Sequence, residues 1–248
     1  MRLNKLAKYL IITYLISWII WGILIILVNN GVTTSSGLLG VIILAVGGFG
    51  PTIAAIVLQE KITLKSIRKY IFGGNHRAVP YLLLFCILLT VVIGLSSMEL
   101  QPDLPLYLFP VYWIIMTVLI GGNEELGWRG FMQPFLEKSV PFPIAVLITS
   151  ITWSAWHLPL WLVEGSSQQT SPFIIFAAFG LILSFSMAAI HKKTKCVFYS
   201  AVFHGLSNTL MAYFVVGANL IIIFGGIFII IISLLIWYID KRKSIQRI

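Results

Sequence analysis

The sequence is poor in charged residues, above all in acidic ones. Of its 248 residues 10% are charged, with 8 Asp and Glu against 17 Lys and Arg, and 59% are hydrophobic. A soluble domain carries about 25% charged and about 45–50% apolar residues, so this composition cannot cover a protein surface in water. It excludes a water-soluble single domain, and also a disordered, collagen-like or coiled-coil chain.

Cysteine is equally scarce. Cys86 and Cys196 stand far apart, so the chain has neither a disulfide framework nor the paired spacing of a zinc–thiolate site. The formal net charge of +9 comes from short basic clusters between apolar runs. Nucleic-acid binding needs a basic face on a folded domain, so we predict no nucleic-acid partner.

Long windows without any charge are what the sequence has instead. The longest, 9–59 and 196–239, each hold two spans, because one spanning helix needs about 20 apolar residues. We predict an all-α, polytopic membrane protein with about eight spanning helices, and a single integral-membrane domain over residues 1–248 with its motif-bearing core at about 107–216. The predicted spans are 9–28, 38–58, 81–98, 107–123 with a helical continuation, 142–163, 172–190, 196–216 and 220–239.

The basic residues fall on one side of the membrane only. If both termini share a side, the loops and termini there hold all 17 Lys and Arg, while Glu99, Asp103 and Glu164 fall on the other side. Cytoplasmic loops carry such an excess of Lys and Arg. We therefore predict cytoplasmic termini and a multi-pass protein in the lipid bilayer of a bacterial-type plasma membrane.

A basic amphipathic segment lies at 59–72. Ile67 and Ile71 oppose Lys65 and Arg68, a pattern typical of a helix lying on an anionic leaflet. An ordinary basic loop explains the same residues, and the sequence leaves both readings open.

Ionisable residues inside the apolar windows are the informative exceptions, because they are costly at bilayer depth and usually mark functional pathways. The first group is Glu124 and Glu125, followed by Arg129. On a helix Glu125 and Arg129 are four residues apart and can pair, while Glu124 points about 100° away and is free of that partner. A pair that only stabilises the helix explains Glu125 and Arg129 equally well.

The second group centres on His157. Trp153 precedes it by one helical turn and lies on the same face. Pro159 cannot donate a hydrogen bond to the carbonyl of Ala155, so we expect the helix to loosen beside the histidine.

The third group is His204 and Asn208, whose four-residue spacing puts both on one helix face. Hydrogen bonds between helices are the structural alternative for this pair. Counted along antiparallel helices, Glu124 and His157 reach a similar depth. We expect the three groups to converge on a site within the membrane that opens to the cytoplasm.

Together, the motifs resemble those of the CPBP family, also called the Abi or type II CAAX-prenyl-endopeptidase family of intramembrane proteases. The resemblance rests on Glu124-Glu125-x-x-x-Arg129, the aromatic-x-x-x-His pattern that ends at His157, and His204-x-x-x-Asn208. It implies an endopeptidase that hydrolyses peptides without a covalent intermediate. Trp153 stands where the family commonly has Phe, an aromatic exchange that puts little of the resemblance in doubt.

The resemblance also implies roles for single residues. Glu124 matches the glutamate that activates water, and His157 matches its partner. His204 and Asn208 match the pair proposed to stabilise the oxyanion. The supporting motif positions are Glu125 and Arg129.

The sequence does not decide whether a metal is required, and it leaves two alternative functions open. If a divalent ion such as Zn²⁺ is required, Glu124, His157 and His204 offer three ligands and an open position for water. The expected substrate is a peptide or protein with a hydrophobic or lipidated end. One alternative is a proton-coupled transporter, since Glu and His also serve as relays, although the inverted repeats of many carriers are absent. The other is a catalytically silent membrane protein of the bacteriocin-immunity type.

Overall fold

A computed structural model describes residues 2–60, 62–217 and 219–246. It confirms the predicted helical membrane fold, to which it adds one short pair of strands. The α-helices are α1 (Arg2–Asn29), α2 (Leu38–Gly48), α3 (Gly50–Val57), α4 (Leu64–Phe72), α5 (Val79–Ser96), α6 (Phe109–Val118), α7 (Glu125–Gly127), α8 (Gln133–Leu136), α9 (Phe142–Trp156), α10 (Phe173–Thr194), α11 (Val197–Tyr213) and α12 (Leu220–Ile245). The strands are β1 (Ser97–Leu100) and β2 (Phe214–Val216).

Local sequence explains where several helices begin. A proline stands in the first turn of α3, α5, α6 and α9, where the missing backbone N–H leaves no hydrogen bond unmade. α4 begins instead with a capping box between Thr63 and Ser66. Of the two readings left open for 59–72, the helix is the one present, as α4.

Seven helical segments in the described part of the chain are long and apolar enough to cross a membrane. They match seven of the eight predicted spans. The segments are Asn4–Asn29, Leu38–Val57, Leu64–Ser96, Leu106–Leu136, Phe142–Leu162, Phe173–Thr194 and Leu220–Lys243.

The remaining predicted span is α11, which has 17 residues. β1 follows α5 and β2 follows α11, and the two strands pair antiparallel, with Leu100 opposite Phe214. The ends of α5 and α11 thus lie at the same end of the bundle. The chain between the end of α5 and the end of α11 must therefore cross the membrane an even number of times. α6–α8, α9 and α10 are three candidate crossings, so the even number requires α11 as a fourth, in agreement with the eight spans predicted.

Contacts at the ends of the helices define the two ends of the bundle. At one end Lys193 of α10 donates to Asp240 of α12 at 2.8 Å, and the backbone N–H of Asn75 donates to Thr194. We call this the basic end, and the opposite end, which carries β1 and β2, the strand end. Among the cations behind the predicted orientation, Lys61 and Arg247 lie outside the described residues.

Three apolar clusters form the core. The smallest consists of Phe142, Val146, Phe185 and Ala188, and the site lies beside the two larger ones. One is formed by residues of α1, α3, α9 and the segment around Trp128, and includes Trp153. The other is formed by α5, α10, α11 and α12 and includes Phe203 and Leu206. Polar residues of α9 and α11 are therefore brought together between the clusters. Packing against protein rather than lipid explains why a 17-residue helix is long enough for α11.

Candidate active site

The fourth span is interrupted just before the two glutamates. α6 ends at Val118, and Gly121 has a φ of 91°, which residues with a side chain rarely adopt. A 3₁₀ helix begins at Gly122 and brings Glu124 into the interior, where 5% of its surface is exposed. The break thus directs Glu124 into the bundle.

An indole holds the carboxylate of Glu124. The Nε1–H of Trp153, on α9, donates a hydrogen bond of 2.7 Å to Oε2 of Glu124. The other oxygen, Oε1, has no hydrogen-bond partner in the described part of the chain. Phenylalanine has no such donor, so Trp153 makes a contact with Glu124 that the phenylalanine common in the family could not make. One carboxylate oxygen is held in place while the other stays available.

His157 lies where α9 ends. The helix stops at Trp156 and a 3₁₀ helix, Leu158–Leu162, follows, which confirms the loosening predicted from Pro159. Nδ1 of His157 lies 2.9 Å from the carbonyl oxygen of Trp153. Because a carbonyl only accepts hydrogen bonds, Nδ1 carries the proton, and Nε2 of the neutral ring has a free lone pair.

The ring of Trp153 joins the three motifs. Its centroid lies 4.6 Å from that of His157 and 5.7 Å from that of His204, both nearly edge to face. Phe176 of α10 stacks on the same ring at 5.4 Å. Glu124, His157 and His204 therefore contact one and the same side chain.

A buried ionic network lies behind His204. Its Nδ1 is 2.8 Å from Oε1 of Glu125, and Nη1 of Arg129 is 3.0 Å from the same carboxylate. Arg129 lies in a π-helical turn, Trp128–Met132, and donates from Nη2 to Oγ of Ser184 on α10 at 2.7 Å. The predicted pairing of Glu125 with Arg129 is confirmed. The pair is fully buried, where an unpaired charge would be very costly, and it also holds His204.

Two nitrogen atoms of α11 converge beside Gly121. A Cβ added to Gly121 would collide with Nδ2 of Asn208 and would lie 3.2 Å from Nε2 of His204. Asn208 also donates a long hydrogen bond of 3.4 Å to the carbonyl of Ile120. Both side chains thus face the break in the fourth span, three residues before Glu124.

The side chains suggested as metal ligands do not form a ready ligand set. Within residues 2–60, 62–217 and 219–246, no three His, Cys, Asp or Glu side chains are grouped so as to hold a metal ion. Oε2 of Glu124 and Nδ1 of His157 are bonded to Trp153, and Nδ1 of His204 is bonded to Glu125. The atoms that these bonds leave free, Oε1 of Glu124 and Nε2 of both histidines, are not grouped closely enough among the described residues to hold a metal ion, and we derive no step through a metal.

Three contributions to the site were missed by sequence reasoning. The Gly121-Gly122 pair within an apolar window is a turn signal that could have indicated the break. The indole donor of Trp153 was visible, but its acceptor was not. Ser184 carries no signal, because a serine in an apolar helix commonly bonds a carbonyl of its own helix.

Comparison with known proteins bears on the same region. The family model described as type II CAAX prenyl endopeptidase, Rce1-like, matches residues 106–210, a range that contains every motif residue from Glu124 to Asn208. The chain is also similar to the CAAX prenyl protease 2 of Methanococcus maripaludis, with 24% identity over 182 residues. The alignment covers 68% of this chain and 66% of the relative, so the chain spans slightly less than two thirds of that relative's length.

Both matches agree with the resemblance drawn from the three motifs. The family model is independent of the contacts described above, yet it falls on the part of the chain that carries them. Through residues 106–210, the chain is similar to the family of type II CAAX prenyl endopeptidases.

Proposed function

We propose that the chain is an intramembrane endopeptidase that hydrolyses peptides with a hydrophobic or lipidated end. The observation that carries the proposal is the meeting of Glu124, His157 and His204 around Trp153, inside a bundle of membrane-spanning helices. The family model and the similarity to a prenyl protease support the same class of reaction.

Glu124 is the proposed general base. Its Oε1 accepts a hydrogen bond from a water molecule, while Trp153 holds Oε2. As the water oxygen attacks the carbonyl carbon of the peptide bond, its proton passes to the carboxylate. The product of this step is a tetrahedral intermediate without a covalent bond to the protein.

His157 is the proposed partner in proton transfer. Its Nε2 is a proton acceptor, because Nδ1 donates to the Trp153 carbonyl. The ring takes the proton of the attacking water from Glu124 and delivers it to the leaving amine as the C–N bond breaks. Both side chains end the cycle in their starting protonation states.

Asn208 and His204 are the proposed oxyanion donors. Nδ2 of Asn208 is a neutral donor, and Nε2 of His204 donates when the ring carries both protons, since Nδ1 faces Glu125. The two nitrogens converge beside Gly121, as expected for donors to one developing charge. Glu125 and Arg129 orient His204 and do not touch the substrate.

We infer that the basic end faces the cytoplasm, because Lys and Arg accumulate on that side of membranes, and that substrates reach Glu124 from there. Glu124 and His157 are 5% and 7% exposed. Side chains around the site must therefore move to admit a peptide.

Cleavage by Glu124→Gln protein tests the proposal. We expect purified wild-type protein in lipid vesicles to cleave a quenched fluorescent peptide with a lipidated end, and the variant to lose about 10²–10⁴-fold in turnover, the usual contribution of a general base. Glu164→Gln is the matched control, because Glu164 is an exposed carboxylate at the strand end.

Wild-type turnover in Glu124→Gln would overturn the mechanism. If the wild-type protein cleaves neither lipidated nor unlipidated hydrophobic peptides, the protease proposal fails and the transporter and immunity-type alternatives are favoured.

A further inference from the structure

Two adjoining cavities lie at the basic end, and neither is lined by the residues of the candidate active site. The first has a volume of about 380 Å³ and is lined by Asn75, Arg77, Tyr81, Lys193 and Asp240, among others. The second has a volume of about 200 Å³. Lys192 lines both, so the two cavities are neighbours on either side of this lysine.

Cations outnumber carboxylates around the cavities. Two of the lining lysines are paired: Lys192 with Glu137 at 3.0 Å and Lys193 with Asp240 at 2.8 Å. The other lining cations form no salt bridge with a carboxylate among the described residues. These are Arg77, Lys138 and Lys195. A net positive charge is therefore left over for an anion from outside the chain.

Lys195 shares the second cavity with Lys192, another cation. It follows α10 directly and has a φ of 55°, unusual for a residue with a side chain. Burial, and then the ammonium of Lys192, lower the pKa of Lys195, although the carboxylates of Glu137 and Asp240 act in the opposite direction. A bound anion would relieve this repulsion.

The position of the cavities favours a lipid over a free anion. They lie at the ends of spanning helices, where the headgroups of one leaflet are found, and basic pockets between helices at this level bind anionic headgroups. Tyr81, beneath the ammonium of Lys193 at 4.7 Å, begins an apolar path. Leu84 lies three residues further along α5, on the same face, and is 39% exposed, so an acyl chain can follow it.

We propose that the two cavities form a binding site for the phosphate headgroup of an anionic phospholipid from the adjoining leaflet. Arg77 supplies a guanidinium suited to two parallel hydrogen bonds with phosphate oxygens. The paired lysines and Tyr81 form the walls. Glu137 also lines the second cavity, but its carboxylate is bonded to Lys192.

Binding of fluorescent phosphatidylglycerol to the purified full chain in neutral detergent tests this site. We expect at least fivefold tighter binding than for the phosphatidylcholine analogue. Arg77→Gln and Lys195→Gln should each weaken phosphatidylglycerol binding about fivefold, because one cation near an anionic lipid contributes about 1 kcal/mol. The matched control is Arg68→Gln, an exposed arginine of α4 that lines neither cavity, and it should bind like the wild type.

Three outcomes would overturn the proposal. Equal affinity for the two lipids would remove the preference for an anionic headgroup. An equal loss in Arg68→Gln and Arg77→Gln would point to diffuse surface charge. Competition by inorganic phosphate at the same concentration as the lipid would indicate a free-anion site. Since no proteolysis is measured, the result is independent of the proposed function.

Discussion

The indole Nε1 of Trp153 lies 2.7 Å from Oε2 of Glu124, so α9 and the fourth span meet at a single charge-assisted hydrogen bond. Bonds of this type are about twice as strong as those between neutral groups. The same indole touches both histidines. Trp153 therefore positions the proposed base and its neighbours together.

Removing this donor while keeping the aromatic ring should impair turnover. We expect Trp153→Phe to lower kcat about tenfold with a smaller effect on KM, because a hydrogen bond to a charged group contributes about 1.5–3 kcal/mol. Steady-state cleavage of the fluorescent peptide measures both constants. Trp237→Phe, on α12 and far from the site, should retain wild-type kcat, and unchanged kcat in Trp153→Phe would contradict the positioning role.

Asn208 should matter for the transition state more than for binding. We expect Asn208→Ala to lower kcat by about 10²–10³-fold, the usual loss for one oxyanion donor, with KM nearly unchanged. Asn30→Ala is the control, because the Asn30 side chain is exposed and bonds only its own helix end. A loss confined to KM would assign Asn208 to substrate binding instead.

The turn at Gly121 should not tolerate a side chain. Gly121→Ala places a Cβ against Nδ2 of Asn208 and strains the backbone by about 1–3 kcal/mol. We expect lower kcat and a lower thermal unfolding midpoint. Gly94→Ala is the comparison, because no atom lies within 4 Å of its added Cβ; similar midpoints for the two variants would refute the strain.

Ser184 should stabilise the buried network from outside the motifs. We expect Ser184→Ala to lower the free energy of unfolding by about 1–3 kcal/mol, because Nη2 of Arg129 loses its buried acceptor. Denaturation in mixed detergent micelles measures the change. Ser186→Ala, on the same helix, removes only a bond to the Ile182 carbonyl and should cost less; equal losses would argue against a special role for Ser184.

The spanning helices could be predicted because bilayer thickness imposes a length on each apolar run. Predicted and observed bounds differ by a few residues at most ends, as for 142–163 against Phe142–Leu162. α11 is shorter than the other predicted spans. It packs mainly against helices of the protein, so the thickness of the hydrocarbon layer does not determine its length.

The polar residues of the site could be predicted from the cost of placing them in a membrane. Their partners could not. The bond between Trp153 and Glu124 joins residues 29 apart, and the bond between Arg129 and Ser184 joins residues 55 apart. Such pairs depend on how the helices pack against one another. The pattern of residues along one helix does not reveal that packing. The orientation and the catalytic roles remain predictions.

The strand pair has a consequence for the geometry of the site. By joining the end of α11 to the end of α5, the ladder between Leu100 and Phe214 limits sliding of α11 along its own axis. A slip of one residue would raise or lower His204 by about 1.5 Å, enough to part it from Glu125. A few backbone hydrogen bonds at the membrane surface thus help to keep the height of the oxyanion donors constant.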